Sequence, residues 1–271
     1  MEKTMAGNGK AMERKLVWLS IVGITSSLIV SCGLLPENKH SQGYTLSGRE
    51  AKIIEAVLQN DLEVFTSQKG RSIIGYGIRT VSSAHVAREY DLDPTKAEQK
   101  YAEKTFRITG KIEVIHADGD DPHYVTLEGT NLSSPHIFFD LSGAEKIADL
   151  KKDETVDLVC ECEGAVAGIP IFSGCQFIAD FAMKRVHEVR KDIGNFLQGS
   201  QLVSSDTREI VVYLITYARL LPNQSPCFSD SAASECGMAE LLSLPLTSGD
   251  KFHSTLEKVK RELRIYGVRL P

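Results

Sequence analysis

The residues best able to do chemistry in this 271-residue chain are six cysteines and seven histidines, and their spacing points to structure rather than catalysis. Cys160 and Cys162 form a Cys-x-Cys pair, Cys175 follows, and Cys227 and Cys236 bracket one stretch rich in serine. Cys-x-Cys does not fit the ligand spacing of zinc ribbons, so no metal is expected. The histidines (His40, His85, His116, His123, His136, His187 and His253) include no His-Glu-x-x-His arrangement. There is no Gly-x-Ser-x-Gly elbow and no phosphate-cradling glycine loop. Asp118, Asp120 and Asp121 surround Gly119 but lack the spacing and terminal glutamate of a calcium loop, and they read as a hydrated hairpin tip. His116 and His123 flank that tip and could meet across the hairpin. No catalytic residue and no cofactor is expected, and the chain reads as non-enzymatic.

The cysteines make sense once the N-terminus is read. Met12-Glu-Arg-Lys15 is a positive start, Leu16 to Val30 is an apolar run, and Ser31-Cys32 follows. A short charged start, a short apolar run and a small residue before a cut describe a secretory signal, too short to be a spanning helix. Residues 1–11 lengthen the charged start, so either Met1 or Met12 could begin the chain. The Ser-Cys ending resembles the lipobox of bacterial lipoproteins, which implies that Cys32 becomes the acylated first residue. Gly33 after it favours the outer membrane, facing the periplasm. Export supplies an oxidising compartment, so the other five cysteines are read as a disulfide framework with one left over. Cys227 and Cys236 pair to close their own loop. Cys175 can pair with Cys160 or Cys162; a two-residue turn at Ala167-Gly168 would put Cys160 opposite it.

The elements that must position these residues lie between Tyr101 and Asp180. Phe106, Ile108, Ile112 and Val114 alternate with polar residues over Thr105 to Ala117, the period of a half-buried strand, with Gly110 permitting a bend. His123 to Thr130 and His136 to Leu141 are two more strands. Ser142 to Leu150 reads as a short helix, with Ser142 and Glu145 as a capping box. Glu154 to Cys162 is a fourth strand, with Val156, Leu158, Cys160 and Cys162 on one face. Gly164 to Gly168 turns the chain. Ile169 to Asp180 is the fifth, with Ile171, Cys175 and Phe177 inward. Three antiparallel strands, a helix and a closing hairpin are the layout of a five-stranded OB-fold barrel.

A resemblance supports that layout. Lys104-Thr-Phe-Arg-Ile-Thr-Gly-Lys-Ile-Glu-Val-Ile115, Tyr124-Val-Thr-Leu-Glu-Gly129 and Ala148-Asp-Leu-Lys-Lys-Asp-Glu-Thr-Val156 resemble segments of the tRNA-anticodon-like OB-fold family, found in many bacterial lipoproteins. Asp153 stands where that family usually has glycine. The family's cysteine spacing implies a Cys162–Cys175 disulfide, which would leave Cys160 as a buried free thiol. The resemblance covers the central stretch only, and the family name does not imply that members bind tRNA.

Helices flank the barrel, so the fold class is α+β. The expected divisions are 1–31 signal peptide, 32–48 tether, 49–100 N-terminal helical region, 101–181 OB-fold and 182–271 C-terminal helical region. Ser47 to Phe65 is helical, as are Ser82 to Tyr90 and a helix capped by Asp93 with Pro94 at its first position. Ser67 to Tyr76 is a loop or weak strand. Phe181 to Leu197, Ser205 to Leu220 (capped by Asp206), Met238 to Leu244 and Phe252 to Tyr266 follow.

The formal charge is −5, and loss of residues 1–31, with four basic and two acidic side chains, takes it to −7. That is a poor footprint for nucleic acid, whose binding rests on neutralised phosphates. The expected role is a lipid-anchored envelope module for a protein or glycan partner. Its ligand face would be strands two and three with the adjoining positions Tyr124, Thr126, Glu128 and Phe138. The alternative is a nucleic-acid-binding module in DNA transfer across the envelope.

Overall fold

The computed structural model describes residues 43–67, 72–116, 124–139, 146–228, 236, 241 and 249–270. Cys32, His123, the acidic hairpin tip, the Ser142/Glu145 capping box and most of the helix expected over Met238 to Leu244 lie outside these residues. The strands are β1 (Arg79–Ser82), β2 (Lys104–His116), β3 (Tyr124–Leu127), β4 (His136–Phe139), β5 (Thr155–Val166) and β6 (Ile169–Phe177). They follow the order β1-β2-β3-β4-β6-β5, and a further pairing of β2 with β5 closes the last five into a barrel. β2, β3 and β4 are successively antiparallel, β4 lies parallel to β6, and β5 and β6 form the closing hairpin. The architecture is an α+β OB-fold.

Two cores hold it. Inside the barrel, Phe106, Ile108, Ile112, Val125, Leu127, Ile137, Leu158 and Phe172 are fully buried. Outside it, α1 (Gly48–Ser67), α4 (Ile178–Leu197), α5 (Ser205–Leu220) and α6 (Gly249–Ile265) share a second core that includes Ile53, Val57, Ile193, Ile215, Val259 and Leu263. Between β1 and β2 lie α2 (Ser83–Leu92) and α3 (Pro94–Tyr101). Both cores fall within His40–Pro271, a self-contained compact unit.

Helix starts follow local chemistry. At α1 the Ser47 N–H donates to Glu50 Oε2 at 2.8 Å and the Glu50 N–H to Ser47 Oγ at 3.4 Å, a reciprocal capping box. Asp93 Oδ1 accepts from the Lys96 N–H at 3.0 Å ahead of Pro94. The cap of α5 is Ser204, whose Oγ accepts from the Thr207 N–H, and not the expected Asp206, which sits inside the first turn.

Other expectations need correcting. β1, parallel to β2, had no signal in the sequence beyond four residues, three of them exposed. Of the short helix expected over Ser142 to Leu150, the described residues show a 3-10 turn, Ile147–Asp149. Strand β5 continues through Gly164 to Val166, so the hairpin turn is Ala167-Gly168 alone, with both residues at positive φ (52° and 85°). Strand β6 ends at Phe177, where α4 begins, and Ile171 does not share the inward face; Phe172 does.

That tight turn decides the cysteines. It pairs Val166 with Ile169, and Gly164 and Gly174 sit at two compensating irregularities farther along the hairpin. Cys162 therefore lies opposite Phe172, and Cys160 bonds Cys175 across a Cα–Cα distance of 4.2 Å. The expected Cys162–Cys175 bridge is thus replaced by its neighbour two residues back. Cys162, not Cys160, is the buried free thiol. Its Sγ lies 3.9 Å from the Tyr90 hydroxyl, and burial pushes the thiol pKa up. Cys227 bonds Cys236.

Candidate binding face of the barrel

β2 carries the register feature that builds the face. Ile112 pairs with Leu127, but the next pair is Val114 with Thr126, so Glu113 is one residue too many on β2. Such a bulge reverses which side the following residues face. Ile112 is buried in the barrel, whereas Val114 is 47% exposed and not inward as alternation predicts. His116 is carried outward with it, opposite Tyr124. Gly110, where β2 passes from pairing with β5 to pairing with β3, also makes room for α2. A Cβ there would lie 2.2 Å from Ser83 Oγ, and that hydroxyl donates to the Glu128 carbonyl at 2.6 Å. The glycine lets the start of α2 close over the end of β3.

Across the sheet the outward residues are Val114 and His116 on β2, Tyr124 and Thr126 on β3, and His136 and Phe138 on β4. Tyr124 is their hub. The His116 ring stacks on it at 4.1 Å between centroids, the Phe138 ring stacks at 4.9 Å, and the His136 ring sits tilted at 5.0 Å. Cross-strand aromatic neighbours of this kind hold one another upright on the sheet. His116 Nε2 lies 3.4 Å from Thr126 Oγ1. Burial, and secondarily the charge that His116 would carry, hold His136 below the ordinary histidine range. None of the six outward side chains is a lysine or arginine.

Of the four ligand-face residues expected from the sequence, the structure brings Tyr124 and Phe138 together, both half-buried. Thr126 shares their face but is only 8% exposed, roofed by the histidines. Glu128 lies past the strand end; its N–H donates to the Lys111 carbonyl at 2.7 Å and its side chain is exposed. His116 and His136 escaped the sequence reading. Parity from Tyr124 and Phe138 could have flagged His136, but not His116 behind the bulge.

Two larger clefts stand out elsewhere among the described residues. One of about 570 Å³ is lined by Tyr44, Arg49, Glu50, Arg219 and Glu262. Its charges answer one another: Arg219 bonds Glu50 at 3.0 Å and Glu262 at 2.7 Å, and Tyr44 donates to Glu50 at 2.9 Å. Burial opposes the Glu50 charge, but the Ser47, Tyr44 and Arg219 donors outweigh it and hold the carboxyl below its usual range. The other, about 530 Å³, lies beside β1 and holds Tyr76, Arg79, Lys104, Phe181 and Arg185. Among the described residues no three histidine, cysteine or carboxylate side chains cluster as metal ligands. Among them also, no helix is long and apolar enough to cross a membrane.

The family model tRNA_anti-like matches residues 6–176, more than half of the chain. Among solved structures the chain is similar to a candidate nucleic acid-binding lipoprotein from Klebsiella pneumoniae subsp. pneumoniae. The identity is 20% over 37% of this chain and 91% of that one, with a TM-score of 0.31. No curated protein matches.

Proposed function

The chain belongs to the tRNA_anti-like family, and we propose that it is a non-enzymatic, lipid-anchored protein of the bacterial envelope whose OB barrel binds a partner, best a glycan, on the outward face of β2, β3 and β4. The observation that carries this reading is the column of rings centred on Tyr124. OB barrels take oligosaccharides and oligonucleotides on this side of the sheet. A sugar needs apolar ring surface for its C–H face and mixed donors and acceptors for its hydroxyls. His116, His136 and the Tyr124 hydroxyl supply both kinds, and Phe138 supplies surface. Phosphate needs cations. The face has none, and three aspartates lie in the segment joining β2 to β3. The anchor is supported by Ile29-Val-Ser-Cys32 after the short apolar run.

Calorimetric titration with soluble envelope oligosaccharides, and separately with single-stranded oligonucleotide at low and high salt, tests the reading. Glycan binding should be insensitive to salt and weakened about tenfold by Tyr124→Ala. Salt-sensitive oligonucleotide binding without glycan binding overturns it. Loss of that binding in Arg79→Ala and Lys104→Ala would move the site to the basic cleft beside β1.

A further inference from the structure

Tyr44 lies at one end of the helical layer. The Tyr44 N–H donates to the Leu197 carbonyl at 2.8 Å, at the last residue of α4, and the Tyr44 ring meets the Tyr266 ring edge-on at 5.5 Å, just past α6. At the same end the loop after α4 closes on the chain after α6: a Cβ on Gly199 would lie 3.1 Å from the Gly267 carbonyl oxygen. Exposed large apolar side chains collect here. Leu202 is 98% exposed, Ile265 56% and Tyr266 37%. Arg261, Arg264 and Arg269 are exposed beside them, in a chain whose net charge is negative. The nearby carboxylate of Glu262 is drawn away to Arg219 at 2.7 Å.

We propose that this end is a membrane-contact surface. Leu202, Ile265 and Tyr266 enter the interfacial layer of an anionic leaflet, and Arg261, Arg264 and Arg269 meet its headgroup phosphates. Apolar and aromatic tips flanked by arginines are the composition that binds such interfaces, the first by burial and the second by attraction to anionic lipid. The placement rests on the lipid-anchor reading. Between Cys32 and Tyr44 the chain spans at most about 40 Å even fully extended, so an acylated Cys32 holds Tyr44 within that distance of the bilayer. The acyl chains on Cys32 supply the attachment, and the basic apolar surface sets which end of the protein meets the leaflet.

The test uses the non-acylated unit His40–Pro271, which contains both cores and both disulfides. Its partition into vesicles of equimolar phosphatidylglycerol and phosphatidylcholine is compared with phosphatidylcholine alone, by flotation. Binding to the anionic vesicles only is expected, falling at high salt. Each of Arg261→Ser, Arg264→Ser and Arg269→Ser should weaken it about fivefold, and Leu202→Ser with Ile265→Ser should weaken it further. Lys251→Ser, at the opposite end of α6, should leave it unchanged. No binding, equal binding to neutral vesicles, or an equal loss from Lys251→Ser overturns the proposal. Because the unit lacks Cys32, a failure here leaves the anchor standing, and failed acylation of the full chain leaves this surface standing.

Discussion

Arg107 on β2 reaches diagonally across the sheet to Asp157 on β5, with Nε to Oδ1 at 2.8 Å and Nη2 to Oδ2 at 2.5 Å. The guanidinium is 3% exposed, and its remaining donors bond the carbonyls of Phe65 and Thr66 at the end of α1. One side chain therefore joins the barrel wall to the last turn of the helical layer, and it satisfies carbonyls that a helix C-terminus leaves without partners. The planar fork explains why arginine is used here, since lysine could not serve both strand and helix in one plane.

Removing Arg107 takes one partner from the Asp157 carboxylate and leaves two helix-end carbonyls unanswered. Arg107→Ala should destabilise the protein by about 3–5 kcal/mol, read by urea unfolding, and amide exchange should quicken first at the end of α1. A loss below about 1 kcal/mol would show that the two layers hold together by apolar packing alone.

His136 makes the stability of the ring face depend on pH. The folded pKa of His136 lies below its unfolded value, so between the two the unfolded chain binds more protons and stability rises with pH. Stability should be at its full value above the unfolded histidine pKa of about 6.5 and decline below it until the folded pKa is passed. His136→Gln should flatten that acid limb. Parallel pH profiles for the two proteins, measured by chemical unfolding, would remove His136 as the cause.

The thiol inventory is equally checkable. Non-reducing peptide mapping of the purified protein should find Cys160 linked to Cys175, Cys227 linked to Cys236, and Cys162 as a thiol that reacts only after unfolding. Cys175→Ala should cost about 3 kcal/mol for its loop length, and Cys162→Ala only about 1 kcal/mol. A Cys162–Cys175 peptide would mean a shifted hairpin register.

Acylation is tested at Cys32. Cys32→Ser should leave the precursor uncut by the lipoprotein signal peptidase and unlabelled by radioactive palmitate. Palmitate that persists in the variant would place the lipid on another residue.

What the sequence by itself determined was whatever depends on local pattern. Alternation located β2 through β6 to within a few residues, because one face of each strand is buried and a period of two is visible along a single chain. Helical spacing and caps placed α1, α3, α4, α5 and α6, since Ser47 with Glu50 and Asp93 with Pro94 act within one turn. Strand order then sufficed for the barrel.

Tertiary structure alone decided what depends on a partner strand. β1 is four residues with almost no buried side, and only pairing to Phe106 through Thr109 makes it a strand. The extra residue at Glu113 leaves the apolar pattern of Ile112, Val114 and Ile115 readable either way, yet it turns His116 from the core toward Tyr124. Cys160 and Cys162 share a face, so no pattern within β5 distinguishes them; the two positive-φ residues of the Ala167-Gly168 turn and the offset at Gly164 and Gly174 do. Arg107 reads as one more polar residue in an alternating strand, and only the arrival of α1 makes it a buried link. Register and docking are relations between segments distant in the chain, set by turn geometry and packing, and a one-residue shift in either moves a side chain to the other face of the sheet.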